Sequence, residues 1–253
     1  MKISIITVCY NSAATIADAI HSVAMQTHVD IEHIVVDGGS KDNTLAIAQA
    51  IGSRVAHVIS EPDNGIYDAM NKGLRLATGD FVGFLNADDM LAAPDAVARI
   101  AAEGLLGSDV IYGDLIYVNK DRPSEVIRYW NSGAFSADRL RYGWMPPHPT
   151  LYVRRAVLDV LGGFDLRLRI AADYDFMLRC LSKPGIRVAY LAKVLIHMRT
   201  GGASNRSLKA LRNKSREDLF ALRKNGVGGW FTLACKNARK VPQFFRRPAL
   251  DRA

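Results

Sequence analysis

The first hundred residues alternate short β-branched runs with segments whose apolar residues recur at helical spacing, an order that few folds accommodate. "ISIITV" at 3–8 is a continuous apolar run, the pattern of a strand covered on both faces. Ile16, Ala19, Ile20 and Val23 follow at the spacing of one helical face. "HIVVD" is the next buried strand, and Asp42, Asn43 and Thr44 mark the start of the helix "NTLAIAQAI". "VAHVIS" is a third strand, "IYDAMNKGLRLA" a helix closed near Gly79, and "FVGFL" a fourth strand. Strands separated by helices imply right-handed βαβ units and a mainly parallel sheet.

After Pro94 the pattern changes. "DVIYGDLIYVN" and "EVIRYW" read as antiparallel strands around the charged turn "KDRPS". A loop containing "MPPHPT", a short strand and a helix ended by Gly162 and Gly163 come next. The helix "DYDFMLRCLS", the strand "RVAYLAKVLIHM" and an amphipathic helix over 207–224 complete the series. The 253 residues suffice for one large α/β domain with an appendage, and a hydrophobic share of 49% supplies its core. Three widely spaced cysteines argue against a disulfide framework or a structural zinc site and fit a reducing compartment. The opening apolar run reaches Tyr10, Asn11 and Ser12 too soon for a signal peptide, and no run approaches the roughly 20 residues of a membrane span. A cytoplasmic protein is expected.

In open parallel sheets ligands bind beyond the carboxyl ends of the strands. Thr7, Tyr10 and Asn11 lie at the first such end, Asp37 at the second, Glu61 and Asp63 at the third, and Asp88 and Asp89 at the fourth. That acidic rim belongs to a chain of formal net charge +8. Asp37, before Gly38 and Gly39, reads either as an acceptor for a base ring N–H or as a turn acid. Neither GxGxxG nor GxxxxGK[ST] is present, so bound phosphate calls for another source of positive charge. Adjacent Asp88 and Asp89 suit Mn2+ or Mg2+ carrying a diphosphate, or else form a solvated helix cap.

"ISIITVCYNS", "HIVVDGGSKDNT", "EPDNGIYDAMNKGLRLATGDFVGFLNADD" and "RIAADYDFMLR", in that order from Ile3 to about Ser204, resemble the successive motifs of the inverting GT-A glycosyltransferases of family two. The resemblance extends to bacterial enzymes that build lipid-linked exopolysaccharide or O-antigen repeat units. The resemblance implies a single GT-A (Rossmann-like) α/β domain with a small antiparallel acceptor-side region and a helical basic C-terminal tail. It places Thr7 and Asp37 on the base, with Tyr10 and Lys72 near the nucleotide-sugar. "NADD" stands where the family has DxD, so Asn86 replaces the first acid and faces ribose, while Asp88 and then Asp89 hold the metal. Asp173 matches the catalytic base, a role its type and position suit, though it also reads as an N-cap. His197 is a candidate for the diphosphate or the metal shell and Arg199 for phosphate, with His148 and Trp144 for the acceptor pocket; packing is the alternative for Trp144.

The expected division is 1–105 for the nucleotide-sugar, 106–204 for acceptor and catalysis within the same domain, and 205–253 as a basic helical extension. Trp230, Phe231, Phe244, Phe245, Arg246 and Arg247 suit an anionic bilayer surface, where a polyprenyl-linked glycan acceptor is presented, or else a packed terminal helix. UDP- and dTDP-sugars are the preferred donors, since uracil and thymine offer Asp37 the same ring N–H. Three rivals stand: a nucleotidyltransferase or pyrophosphorylase, which lacks its Gly-rich basic loop here; a sugar-nucleotide binder without turnover; and a nucleic-acid-binding protein, which the acidic rim opposes and which is not expected as a partner.

Overall fold

The computed structural model describes residues 1–51, 54–201 and 208–239. β1 (Ile3–Cys9), β2 (Ile31–Asp37), β3 (Val55–Ser60) and β4 (Phe81–Asn86) are parallel, joined through α1 (Ile16–Ala24), α2 (Thr44–Ile51) and α3 (Ile66–Leu76). β1 is central, and Ile3, Ile5 and Ile6 are fully buried, each worth roughly 1.5–3 kcal/mol of transfer free energy. α1 buries Ile16, Ala19, Ile20 and Val23, the residues its spacing singles out. β3 is the edge strand and is largely exposed.

The chain then adds β5 (Asp89–Leu91), α4 (Ala96–Leu105), β6 (Val110–Val118), β7 (Val126–Trp130), α5 (Ala137–Arg141), a 3-10 turn at His148–Thr150 and β8 (Tyr152–Arg154). α6 (Arg155–Leu161), α7 (Ala172–Ser182), β9 (Val188–Arg199), α8 (Leu208–Lys224) and α9 (Trp230–Ala238) follow. Nine strands form one mixed sheet in the order β3-β2-β1-β4-β8-β6-β9-β5, with β7 on β6. β6 and β7 are antiparallel, as the charged turn between them predicts. Gly83 admits the β4–β8 pairing, since a Cβ there would stand 2.3 Å from the Tyr152 ring.

β1, β2 and β3 run outward in one direction, and the chain returns to place β4 on the other side of β1. The topological switch point therefore lies between β1 and β4, at the loops after Cys9 and Asn86, the place where open α/β sheets bind ligands. The twelve-residue β9 pairs with β6 and, at its far end, with β5, so that Met198 lies opposite Asp89 and His197 opposite Met90.

Glu32 fastens the opposite end of the sheet. It accepts from Lys2 Nζ (2.8 Å), Ser4 Oγ (2.5 Å) and Thr78 N (2.7 Å). Burial opposes its ionisation, but these bonds outweigh it and bring the carboxyl from 4.5 to about 2. The resulting stabilisation is present above pH 4.5 and is lost as pH falls toward about 2. Glu32→Gln is expected to lower the melting temperature by several degrees at neutral pH, with the gap to wild type narrowing through that window. A gap that stays constant down to pH 2 would contradict this assignment.

Candidate active site

On one side of the switch point the loops after β1 and β2 are strapped together. Asn11, in the left-handed region at φ 48°, receives Lys41 N on its Oδ1 (2.9 Å) and donates its own N–H to Ser40 Oγ (2.8 Å). Ser12 N donates to Thr44 Oγ1, and Asp42 accepts from Ala13 N and Thr44 N, so Asp42 serves both the strap and the start of α2. Tyr10 is left at the lip, 58% exposed, with its ring available to a flat ligand.

Two of the sequence-selected base contacts lie elsewhere than expected. Thr7 is fully buried within β1, its Oγ1 2.9 Å from His33 Nε2, because strand alternation puts its side chain on the sheet face it shares with His33 of the neighbouring β2. Asp37 is 1% exposed and its oxygens are occupied: Ser40 Oγ and N, Ser60 Oγ (2.6 Å) and Cys9 Sγ all donate to it. Burial works against its ionisation, and the two serines outweigh burial, holding the carboxyl below its ordinary range. The turn-acid reading describes this geometry. Beyond it stands Asp63: a Cβ on Gly38 would lie 2.3 Å from Asp63 Oδ2, so glycine at 38 lets this carboxylate from the loop after β3 cross above the end of β2. Asp63 Oδ1 accepts Gly65 N at 2.8 Å. Lys72, on α3, braces the same loop, with Nζ 2.7 Å from Pro62 O and 2.9 Å from Glu61 Oε1.

On the other side of the switch point β4 ends at Asn86, Ala87 and Asp88 form the turn that follows, and Asp89 opens β5. Asp89 is fully buried and accepts Asn86 Nδ2 on Oδ2 at 2.9 Å. Its Oδ1 and that of Asn86 are both buried without a partner. Burial first, then the neighbouring Asp88 charge, pushes Asp89 well above the ordinary carboxylate range; burial raises half-buried Asp88 as well. Arg199, 5% exposed at the end of β9, answers part of that charge, yet its guanidinium pairs with Asp18 and donates to Asp88 O (3.3 Å). Buried cations need such partners; the Nε of Arg199 is buried without one. His197 is half-buried on the same strand, and burial lowers its pKa.

Asp173 lies in the first turn of α7. The N-cap is Ala171, so the capping alternative for Asp173 does not hold. Its Oδ1 accepts Tyr174 N (2.8 Å) and the Tyr67 hydroxyl (3.2 Å), while Oδ2 makes no hydrogen bond within the described residues. Tyr67 escaped sequence reading, as did Glu217, which accepts Ile170 N and Ala171 N just ahead of Asp173. Asp175, two residues on, is fully buried and tied to Arg179, Lys224 and Asn225, which removes it from chemistry.

The proposed acceptor contacts are mostly interior. Trp144 is 4% exposed, packs edge-on against Tyr112 and donates Nε1–H to Ser132 O at 2.7 Å, which is the packing alternative. His148 is 8% exposed in a box of Phe84, Phe164 and Phe176, with Nε2 unpartnered, and burial lowers its pKa. The same box joins α7 to β4, since Phe176 meets Phe84 edge-on at 6.3 Å.

A parallel half-sheet with carboxylates at the switch point, extended by a mixed half-sheet that brings a carboxylate-bearing helix against β4, is a GT-A architecture. Residues 4–158 match the Glycosyl transferase family 2 model, and the chain belongs to that family. A Mycobacterium bovis protein named PGL/p-HBAD biosynthesis glycosyltransferase is 39% identical over 211 residues, covering 80% of this chain and 78% of its own. A Mycobacterium tuberculosis protein described as an uncharacterized glycosyltransferase is 36% identical, covering 70% and 68%. The crystal structure of S. aureus TarS 1-349 in complex with UDP-GlcNAc superposes with a TM-score of 0.69 at 23% identity, covering 90% of this chain and 66% of that one. A Pyrobaculum calidifontis mannosyltransferase in complex with GDP-Man and Mn2+ gives 0.66 at 20% identity, covering 96% and 73%. The protein is a glycosyltransferase enzyme with the GT-A fold.

Proposed function

We propose that this enzyme transfers a sugar from a nucleoside-diphosphate sugar to a glycan hydroxyl, inverting the anomeric centre. The observation that carries the reading is the set of under-compensated carboxylates at the switch point: half-buried Asp88 beside fully buried Asp89, with Asp89 Oδ1 and Asn86 Oδ1 both left without a partner. Low-dielectric carboxylates of this kind gain from a divalent cation. Among the described residues no three His, Cys, Asp or Glu side chains converge as a ready-made metal cage. The residues instead fit Mn2+ or Mg2+ held by one or two carboxylates, with donor phosphates and water completing the shell. Asp88, which solvent reaches, would be the first holder, and Asp89, through its unsatisfied Oδ1, the second. When bound, the cation supplies positive charge to the departing diphosphate.

Tyr10 and the Asp63 carboxylate above Gly38 would receive the base, in place of Thr7 and Asp37. UDP- and dTDP-sugars remain the preferred donors, because uracil and thymine offer a ring N–H to a carboxylate; Asn86 faces ribose. Asp173 Oδ2 takes the proton of the attacking hydroxyl while Oδ1 stays fixed. The halves 1–105 and 106–204 then serve donor and acceptor.

A lipid-linked acceptor is supported by a surface patch. Trp230 and Phe231 are 65% and 67% exposed, and Phe231 meets half-exposed Tyr142 edge-on beside Arg141 and Arg239. Exposed aromatics among basic residues suit the headgroup zone of an anionic bilayer, here the cytoplasmic face. Phe244, Phe245, Arg246 and Arg247 lie outside the described residues. No described helix is long and apolar enough to cross a membrane.

A thermal-shift panel of UDP, dTDP, GDP and CDP, each with Mn2+, Mg2+ or chelator, tests the donor site. A rise of a few degrees with one nucleotide, lost in chelator, is expected, since a ligand of the folded state stabilises by about 2.7 kcal/mol at a hundredfold excess over Kd. Equal melting temperatures under every condition would overturn the donor site.

A further inference from the structure

A general base works only if it is held where the reacting hydroxyl arrives, and the start of α7 lacks a side-chain cap of its own. We propose that Tyr67 and Glu217 are positioning residues for Asp173, clamping it from α3 and α8; this rests on the reading of Asp173 as the base. Glu217 Oε2 accepts both Ile170 N (2.8 Å) and Ala171 N (2.9 Å), so a residue from outside the family-matched region satisfies the N–H groups that lead into the helix. The Tyr67 hydroxyl lies 2.9 Å from Ile170 O and 3.2 Å from Asp173 Oδ1. Its ring stacks on Phe164 at 5.5 Å, which fixes its direction. Burial, then the Asp173 charge, pushes the phenol far up, so it stays protonated and acts as a donor.

The clamp is itself anchored. Lys224 Nζ and Asn225 Nδ2, at the end of α8, hold fully buried Asp175 one position past Tyr174. Lys236 Nζ of α9 pairs with buried Asp218 at 2.7 Å and stands 3.3 Å from the centre of the Tyr174 ring. The two C-terminal helices thus form a rigid backing for the turn that carries Asp173, with one hydrogen-bonding carboxylate aimed into it.

Steady-state transfer by Glu217→Leu, Glu217→Gln, Tyr67→Phe and Asp173→Asn, with melting temperatures alongside, tests the clamp. Glu217→Leu is expected to lower kcat about 10- to 100-fold at unchanged donor KM, the scale of a small misplacement of a reacting group. Glu217→Gln keeps an acceptor oxygen and should restore most of kcat. Tyr67→Phe, which removes one oxygen atom and decides the matter if Glu217→Leu fails to fold, should lower kcat about tenfold at unchanged donor KM. Wild-type kcat in Tyr67→Phe and in folded Glu217→Leu, with Asp173→Asn inactive, would overturn the clamp and leave the base in place. Full transfer by Asp173→Asn would overturn the base and the clamp with it.

Discussion

Asp173→Asn is expected to bind donor as the wild type does and to transfer sugar about 10²- to 10⁴-fold more slowly, the range that a positioned general base contributes. The asparagine matches the carboxylate in size and keeps an oxygen for Tyr174 N and the Tyr67 hydroxyl, so the turn is preserved. What is lost is the capacity of the second oxygen to take a proton. The split between kcat and donor KM separates this from a folding defect, because a variant with a disordered α7 would lose both. Wild-type turnover in this variant would remove Asp173 from the chemistry, and buried Asp175 is in no position to replace it.

Asp88→Ala is expected to abolish metal-dependent donor binding. Among the acids at the end of β4, Asp88 is the one solvent reaches, while Asp89 is enclosed and occupied by the Asn86 amide. Removing a principal ligand from a site of one or two carboxylates should weaken donor affinity in Mn2+ by about a hundredfold or more, beyond the 10–100-fold typical for a supporting residue. Burial raises the Asp88 carboxyl, so protons compete with metal at higher pH than at an exposed aspartate. Wild-type affinity in Mn2+ should therefore fall as pH is lowered. Titration calorimetry with the responding nucleotide checks both; unchanged affinity in the variant would remove Asp88 from the metal role.

The sequence carried the strand–helix alternation because burial on each face leaves a period. Ile16, Ala19, Ile20 and Val23 specify α1, and "KDRPS" specifies the β6–β7 turn. Strand ends were less legible. "ISIITV" is apolar on both faces, so nothing in it tells which way Thr7 points, and the ladder with β2 sends it to His33. Asp37 was found at the right strand end, but its saturation by Ser40 and Ser60 depends on a neighbouring strand. Asp63 stood among the rim acids without a role; its carboxylate lies against Gly38, at the end of β2, where a Cβ would stand 2.3 Å from it. Tyr67 and Glu217 lie 106 and 46 or more residues from the groups they hold, and no local pattern reveals such pairings. The protein partners of Trp144 and Arg199 were not legible for one shared reason: a large aromatic or a cation in a loop or at a strand end reads alike whether it meets a ligand or the protein's own interior.

Nucleoside-diphosphate release from a panel of UDP-, dTDP- and GDP-sugars, followed with Mn2+ and with chelator in wild type, Asp88→Ala and Asp173→Asn, shows whether Asp88 carries the metal and Asp173 the base. Release from the sugars of one nucleotide, dependent on the metal and lost in both variants, is the predicted result. Release that survives chelation and proceeds equally in the two variants would contradict it.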